Sequence, residues 1–347
     1  MTLPASLTPE VFQSRFRGCL LGQAIGDAVG FQVEAQPHAV CRKYAETWYV
    51  SGVADAEPRG GFAIGQYSDD TQLTRELCLS LLDKQGWDPE DYASRICRLV
   101  LRQELVGGGK TIRMAVSRML DAVPWTETGH PTTVANGGAM RASPIGLVYH
   151  GDIATLVRIA AEQARITHAH PLAMAGSVMV ATAVASCLQC TCPVVPRDFL
   201  TGLELAVSLG PKGAGDLLLE VFFQTLVAAQ DATTRQALDM ISGLTINPEP
   251  EKWDRISPHV LPSIGWAIHS FLRFPDDYRK AIGMAVSGGG DTDTVAAITG
   301  ALSGAYLGET ALTGHDVGLI NDQGGWRADD LRGLADRLCQ WTFGRAG

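Results

Sequence analysis

The chain has 347 residues, of which 28 are basic and 37 are acidic, so its formal net charge is −9. This balance argues against a nucleic acid or an anionic membrane as a partner, although backbone amides can still bind a small anion. Hydrophobic residues make up 46% and charged residues 19%, which is typical of a globular protein with a large core. Because no linker or break in composition stands out, we expect one domain over residues 1–347, and a monomer.

The cysteines and apolar stretches bear on the cellular compartment. Most of the eight cysteines lie in apolar helical patterns, as small core residues do. Residues 1–10 contain no apolar run suited to a secretory signal, and the longest apolar stretch, 173–188, is shorter than the roughly 20 residues that span a bilayer. We therefore expect a cytoplasmic protein without a membrane partner. Cys187, Cys190 and Cys192 have knuckle-like spacing, but structural zinc needs four nitrogen or sulfur ligands and no fourth lies nearby, which favours a structural role.

The first predicted element is a helix with an unusual glycine pattern. Thr8 and Pro9 suit the N-cap and the first position of a helix. Four glycines, from Gly18 to Gly30, then recur at intervals of four residues. On a helix they form one stripe that another backbone can approach closely. The charged and polar residues between them argue against a membrane dimerisation motif.

Helical periodicity continues through most of the chain. After residues 68–71, we predict helices at 92–104, 151–165, 172–188, 200–209, 213–229, 233–244, 261–272, 276–286, 294–307 and 329–343. The best candidate for a strand is 47–53, and no fixed-period repeat stands out. The sequence therefore predicts an all-α, compact multi-helix domain, with a core at about 12–310 and a C-terminal helix.

The most informative segment is Ser-Gly-Gly-Gly-Asp-Thr-Asp-Thr at residues 287–294. Asp291, Asp293 and Thr294 follow a glycine run at a predicted helix start, and hard cations such as Mg²⁺ prefer such oxygen ligands. The plain alternative is that one aspartate caps the helix. A cap needs only one acid, whereas this segment supplies two and a hydroxyl, which favours a metal site.

A second acidic segment, Ser68, Asp69, Asp70 and Thr71, lies more than 200 residues earlier. Taken alone, adjacent acids before a helix are equally consistent with favourable charges in the first turn. Both acidic segments precede a helical pattern. Together they predict a two-metal site where two helix starts meet.

Glycine-rich turns supply the other candidate binding segments. Residues 107–111 read Gly-Gly-Gly-Lys-Thr, but a P-loop would need a glycine in place of Glu104 and a preceding strand, so that motif is excluded. Such a loop at a helix start can still bind a pyrophosphate or a ribose, and a simple turn is the alternative. Lys110 within this loop has no assigned role. Arg141, after the turn at 136–140, is suited to a phosphate or a core acid, and His168 and His170 suggest a cleft.

In this order, the motifs resemble those of the ADP-ribosylglycohydrolase family over residues 16–308. The glycine opening is followed by Glu34, and the first and second acidic segments resemble the two metal motifs of the family. The resemblance implies an all-α fold and two Mg²⁺ or Mn²⁺ ions, with the ligands Ser68, Asp69, Asp70, Asp291, Asp293 and Thr294. It implies ADP-ribose contacts from Gly107, Gly108, Gly109, Thr111, Asn136, Gly137, Gly138, Met140 and His168. One departure is Ala135, where the family often has glycine.

The resemblance also implies a reaction. Glu34 would lie near the scissile bond, and Asp69, Asp70 or Glu34 would take the proton of the attacking water. The expected activity is metal-dependent release of ADP-ribose from an ADP-ribosylated protein, first from the N-glycosidic bond of ADP-ribosyl-arginine. ADP-ribosyl-serine, poly(ADP-ribose), O-acetyl-ADP-ribose and an ADP-ribosylated nucleobase stay open as substrates, and no nucleic-acid partner is expected.

Two other classes of protein compete with this interpretation. Residues 291–295 match the Asp-x-Asp motif of haloacid-dehalogenase-type phosphatases, but that motif should follow a hydrophobic strand near the start of a domain. A non-catalytic relative that binds ADP-ribose or has a structural role is the second alternative. Such a protein would not need the complete set of acids, which favours the enzyme.

Overall fold

A computed structural model describes residues 8–50, 59–211, 213, 215–245 and 253–344. Across this part of the chain there are 17 α-helices and no β-strand, which confirms the predicted all-α class. The first nine are α1 Pro9–Phe31, α2 His38–Lys43, α3 Asp69–Asp83, α4 Pro89–Leu101, α5 Lys110–Leu120, α6 Trp125–Thr128, α7 Ser143–Val148, α8 Ile153–Arg165 and α9 Pro171–Gln189. The others are α10 Pro196–Ser208, α11 Asp216–Gln230, α12 Thr234–Ser242, α13 Val260–Arg273, α14 Tyr278–Ser287, α15 Thr292–Leu307, α16 Gly314–Leu319 and α17 Ala328–Gly344.

The predicted helices all form, with ends that differ by a few residues because local caps set them. The helix predicted at 92–104 begins at Pro89, where the Asp88 carboxylate accepts from two first-turn amides, and it ends at Leu101. The best candidate for a strand, 47–53, is not a strand over 47–50, which belongs to a π-helix, Tyr44–Val50. Residues 51–53 lie outside the described residues. The π-helix packs on α14, with the Arg279 guanidinium 4.7 Å from the centre of the Tyr49 ring.

The closest packing in the fold is between α1 and α15, which run antiparallel. The glycine stripe of α1 lies directly on the α15 backbone, as predicted. A Cβ atom added at Gly26 would lie 2.0 Å from the Ala296 carbonyl oxygen, closer than any side chain tolerates. The pairs in register are Gly18 with Gly304, Gly22 with Gly300, Gly26 with Ala296 and Gly30 with Thr292.

The apolar segment predicted at 173–188 forms α9, a central helix. By length and composition α9 is the one helix among the described residues that is able to cross a membrane, yet 89% of its most apolar window is buried in the fold. It packs against α7, α8, α10 and α15, as a core helix does. At its end the Arg15 guanidinium donates to the carbonyls of Cys187, Leu188 and Cys190. These cysteines therefore belong to a helix terminus, in agreement with the structural interpretation.

The register of α1 on α15 also brings the end of α1 to the second acidic segment. The Thr292 hydroxyl donates to the Gly30 carbonyl at 2.7 Å, and the Ala35 amide donates to the Gly290 carbonyl at 2.8 Å. Glu34, which lies between these two contacts, is thereby held beside the start of α15. Two segments at opposite ends of the sequence thus form one side of a cleft.

Candidate metal centre and active-site cleft

A cleft with a volume of about 1080 Å³ lies where these segments meet, at the upper end of the range usual for ligand sites. Most of the residues predicted from the sequence line it: Glu34, Asp69, Asp70, Gly107, Gly108, Gly109, Thr111, Asn136, Gly137, Met140, His168, Asp291, Asp293 and Thr294. Ser68 and Gly138 are not part of this lining. The prediction that two helix starts meet is confirmed, because the lining includes the first turns of both α3 and α15.

Asp27, a buried residue of α1, fixes the start of α3. Its Oδ1 accepts from the Ser68 amide at 2.8 Å, and its Oδ2 accepts from the Thr71 amide at 2.9 Å and the Thr71 hydroxyl at 2.6 Å. Burial raises the pKa of Asp27 to about 6. A carboxylate that accepts three hydrogen bonds around a two-residue segment determines where the intervening acids point.

Ser68, predicted as a metal ligand, is the N-cap of α3. Its hydroxyl oxygen accepts from the Asp70 amide at 3.4 Å, and the hydroxyl lies 3.1 Å from Oδ2 of Asp70. That same Oδ2 accepts from the Thr294 hydroxyl of α15 at 3.3 Å. The two acidic segments therefore touch through Asp70 and Thr294. The other oxygen of Asp70, Oδ1, is buried and has no hydrogen-bond partner.

At the start of α15, Asp291 occupies the N-cap position, but its side chain makes no capping hydrogen bond. Its Oδ2 instead accepts from the Asn136 amide group at 2.5 Å, and Asn136 also donates to the Ser263 hydroxyl at 2.9 Å. The Asp291 amide donates to the Ile256 carbonyl at 2.9 Å. Helix capping thus does not account for Asp291, which is held by residues of two other segments.

The arrangement of acids fits a divalent cation. Oxygens of Glu34, Asp291 and Asp293 all lie within 4.8 Å of one another, close enough for one ion to contact all three. Asp70 contributes a further oxygen near these three, because its Oδ2 is hydrogen-bonded to Thr294 at the start of α15. Its Oδ1 is buried and has no hydrogen-bond partner. An all-oxygen donor set is what Mg²⁺ and Mn²⁺ prefer. The residues present therefore fit a metal site.

The electrostatics of these acids agree with that conclusion. Burial, together with neighbouring carboxylates, raises the pKa of Asp69 and of Asp291 to about 7. The same two causes raise the pKa of Asp70 and of Asp293 well above the usual range. Several buried carboxylates in one place repel one another unless a cation or protons neutralise them. The site therefore favours a bound cation near neutral pH.

The glycine loop at 107–109 packs against the first acidic segment. Gly107 and Gly108 both have positive φ angles, which favour glycine. A Cβ atom at Gly107 would lie 2.6 Å from Oδ1 of Asp69, and the Asp69 amide donates to the Val106 carbonyl at 2.7 Å. The loop is thus shaped to lie close to Asp69, and Gly109 begins α5 without any side-chain cap.

The second small-residue turn begins after Ala135, the position that departs from the family pattern. Ala135 has an extended backbone with φ −90° and ψ 160°, which any residue adopts, so glycine is not required there. The Ala135 segment pairs with His259, through a bond from the Asn136 amide to the Pro258 carbonyl at 3.0 Å. Gly138 is outside the cleft lining, and its carbonyl accepts from Gln163 at 2.6 Å. The ligand contact of Gly138 stays a prediction.

Among the described residues, Arg141 is not paired with a core acid, which was one of its two expected partners. It is fully buried outside the cleft lining, where it donates to Gln163 and, at 2.8 Å, to the Thr167 hydroxyl. That hydroxyl lies 2.8 Å from Nδ1 of His168, so its proton is available to this nitrogen. Burial lowers the pKa of His168 to about 3. Arg141 therefore orients His168, which presents a neutral Nε2–H group in the cleft.

Two further histidines of the lining were missed or only partly recognised from the sequence. His170 and His259 are the N-caps of α9 and α13, and their Nδ1 atoms accept from the amides of Leu172 at 3.1 Å and Leu261 at 3.3 Å. Because Nδ1 accepts, the proton of each neutral ring is on Nε2. A histidine directly before a long apolar helix was the only available signal for His259.

Arg59 is another residue of the lining that no sequence motif indicated. Its guanidinium donates to Oε2 of Glu34 at 2.7 Å and to the Phe31 carbonyl at 2.7 Å, and it lies 4.6 Å from the centre of the Phe31 ring. Glu34 therefore contacts a guanidinium group on one side and the metal-site aspartates on the other.

The structure is that of an all-α protein whose cleft contains a cluster of acids suited to a divalent cation. The chain belongs to the ADP-ribosylglycohydrolase family, whose sequence profile matches residues 8–345. ADP-ribosylhydrolase ARH3 of Gallus gallus is 28% identical over 326 residues, covering 85% of this chain and 86% of that protein. ADP-ribosylhydrolase ARH3 of Homo sapiens is 28% identical over 323 residues, with 85% and 86% covered.

Other similarities extend over the same length. A protein of Archaeoglobus fulgidus is 32% identical over 296 residues, which cover 84% of this chain and 88% of that one. A solved structure named ADP-ribosylglycohydrolase-related protein complex superposes with a TM-score of 0.65, at 23% identity, over 96% of this chain and 99% of that chain. At that identity the superposition establishes the shared fold. Membership of the family supports hydrolysis of an ADP-ribosylated substrate.

Proposed function

We propose that this protein is a metal-dependent ADP-ribosylhydrolase that cleaves the N-glycosidic bond of ADP-ribosyl-arginine on proteins. The observation that carries the proposal is the meeting of the two acidic segments, through Asp70 and Thr294, at one wall of a cleft of about 1080 Å³. Glu34 lies beside them, and the glycine loop lines the same cleft. An acidic wall and a glycine loop suit the ribose end and the pyrophosphate of ADP-ribose, respectively.

The chain offers ligands for two Mg²⁺ or Mn²⁺ ions. Asp69, Asp70, Asp291, Asp293 and Thr294 would hold them, with Glu34 adjacent. When bound, such ions supply Lewis-acid activation of oxygen ligands. Ser68, also implied as a ligand, caps α3 in the structure, and its hydroxyl supports Asp70.

Other roles, namely proton transfer and the binding of the phosphates and the nucleoside, are assigned to further residues of the cleft. Asp69 is the acid that we assign as proton acceptor, because it lines the cleft beside the glycine loop and its Oδ1 approaches Gly107. Gly109 and Thr111, at the start of α5, line the cleft and would bind the phosphates through backbone amides. Neutral Nε2–H groups of His168 and His259 are suited to acceptor atoms of the nucleoside.

The choice of arginine linkage is supported by Glu34. This carboxylate already accepts a hydrogen bond from a guanidinium, that of Arg59, at 2.7 Å. A guanidinium leaving group in the substrate would offer the same donors to the same carboxylate. The geometry beside the metal site is therefore compatible with a modified arginine.

The test is release of free ADP-ribose from proteins carrying ADP-ribosyl-arginine or ADP-ribosyl-serine, with Mg²⁺ or Mn²⁺ and then with EDTA. We expect metal-dependent release from the arginine substrate. Release from the serine substrate alone would overturn the linkage but keep the hydrolase. Tight binding of ADP-ribose without release from either substrate would favour the non-catalytic alternative.

A further inference from the structure

One sector of this acidic protein carries a concentrated positive charge. Residues 94–118 contain six basic residues and one acidic residue, whereas the whole chain has 28 basic and 37 acidic residues. The basic residues are Arg95, Arg98, Arg102, Lys110, Arg113 and Arg118. They lie on α4, on α5 and in the loop between these helices, which contact each other.

Four of these residues are available to a partner, and we call them the basic rim: Arg98, Arg102, Lys110 and Arg113. All four are exposed. Within the described residues, the side chains of Arg98, Arg102 and Lys110 form neither a hydrogen bond nor an ion pair, and Arg113 donates only to the Gly108 carbonyl, at 3.3 Å. Arg95, by contrast, is paired with three carboxylates, and Arg118 donates to two backbone carbonyls.

The position of Lys110 and Arg113 is unfavourable for the helix that carries them. Both lie in the first turn of α5, which contains no acidic residue and has no side-chain cap. The positive end of the helix dipole disfavours cations there. Helix stability therefore does not explain these two charges.

The basic rim adjoins the cleft. Lys110 lies directly between Gly109 and Thr111, both of which line the cleft, and Arg113 contacts the same loop. Leu101 and Leu120, which end α4 and α5, are 58% and 59% exposed and add apolar surface. No aromatic residue occurs between residues 94 and 118, so the sector lacks the stacking side chains on which single-stranded nucleic acids depend.

We propose that the basic rim is a docking surface for an acidic segment of the target protein, next to its ADP-ribosylated residue. This inference rests on the proposed function and adds a preference among targets. Charge complementarity favours an acidic segment, and the exposed leucines favour a polypeptide over a phosphate backbone. The remaining surface, which carries the acidic excess, would repel the same segment and so orient the target at the cleft.

The experiment uses two mono-ADP-ribosylated peptides that carry the linkage cleaved by the wild-type protein and differ only in their flanks. One flank is rich in Asp and Glu, and the other has Asn and Ser at the same positions. We expect kcat/KM to be about threefold or more higher for the acidic peptide at low ionic strength, and equal for both peptides at high ionic strength.

The variant Arg98→Gln/Arg102→Gln should abolish the preference while keeping the rate on the neutral peptide. Arg197→Gln/Arg235→Gln is the matched control, because both of its arginines are exposed on other helices, and it should keep the preference. Arg98→Gln provides a second single-site test at the end of α4.

The outcomes separate this inference from the proposed function. If the wild-type protein cleaves both peptides equally at low ionic strength, the proposed docking surface is wrong, whereas the proposed hydrolase function is unaffected. If it cleaves neither peptide, nor the modified proteins, the proposed function fails first. If the double variant loses more activity on an ADP-ribosylated oligonucleotide than on the acidic peptide, the partner is a nucleic acid and our assignment is overturned.

Discussion

The Thr71 amide and hydroxyl both donate to Oδ2 of Asp27, at 2.9 and 2.6 Å, while Oδ1 accepts from the Ser68 amide. These bonds connect the C-terminal part of α1 to both ends of the first acidic segment. The acids at 69 and 70 lie between the two anchored residues. Their orientation is therefore set by a residue that does not itself line the cleft.

Asp27→Ala should destabilise the fold and weaken the metal site together. Three buried donors would lose their acceptor, and each unsatisfied group costs about 1 to 3 kcal/mol. We therefore expect the free energy of unfolding to fall by about 3 kcal/mol or more. Urea unfolding and Mn²⁺ titration measure the two effects. Asp27→Asn retains part of the acceptor capacity and should lose less in both. Normal Mn²⁺ affinity in the alanine variant would contradict the anchoring role.

Gly26→Ala tests the contact between α1 and α15. Its methyl group would lie 2.0 Å from the Ala296 carbonyl oxygen, so the helices must separate, and we expect a loss of about 2 kcal/mol or more in the free energy of unfolding. The matched control is Gly202→Ala on α10, where a Cβ atom meets nothing within 4 Å. Because alanine favours helices, this control should be neutral or stabilised by up to about 1 kcal/mol. Equal effects in the two variants would contradict the close packing.

Asp293→Ala should lower the rate of ADP-ribose release at least about a hundredfold. The substitution removes the carboxylate of one of three acids whose oxygens lie within 4.8 Å of one another. Isothermal titration with Mn²⁺ should show weaker binding in the same variant. Asp198→Asn, an exposed acid in the first turn of α10, is the control and should leave both properties unchanged. Near-normal turnover in Asp293→Ala would reject the metal centre.

The raised pKa values of the site carboxyls predict how metal and pH affect stability. The pKa values of Asp69 and Asp291 are about 7 in the folded protein, against about 4 for exposed carboxyls. In the metal-free protein their protonated forms therefore stabilise the fold at low pH, and this contribution to the free energy of unfolding is lost as the pH rises to about 7. Mg²⁺ neutralises the ionised form, and its binding strengthens with pH.

We therefore expect the Tm difference between Mg²⁺-loaded and EDTA-treated protein to widen from about pH 5 to about pH 8. Scanning calorimetry or fluorimetry at a series of pH values measures this difference. The buried histidines, which become harder to accommodate at low pH, are common to both samples and cancel. A difference that shrinks as the pH rises would mean that the carboxylates do not form the metal site.

The sequence was sufficient for the fold class because helices depend on local patterns, and the acidic segments together with the resemblance to the family indicated most of the residues that line the cleft. Apolar periodicity located the helices, and the interval of four glycines predicted the close contact of α1 before its partner was known. The partner itself depends on tertiary packing, as does the π-helix at Tyr44–Val50, which lies in a segment whose alternation resembled a strand.

The supporting residues of the site were harder to predict for the same reason. Asp27 and Arg59 act through contacts with segments distant in sequence, and neither residue was assigned a role from the sequence. Arg141 was assigned two candidate partners, yet it orients His168 through Thr167, a relationship visible only in three dimensions. The hydrogen bond from Gln163 to the Gly138 carbonyl, within the second small-residue turn, was likewise not visible in the sequence.

The pairing of α1 with α15 has a consequence for biosynthesis. The bond from Thr292 to Gly30 spans 262 positions of the sequence, and that from Thr294 to Asp70 spans 224. A nascent chain that has not yet emerged beyond α15 carries the first acidic segment without its counterpart. The two acidic segments can meet only after the chain as far as α15 has left the ribosome, so cation binding at the proposed metal centre would report a late step of folding rather than guide its beginning.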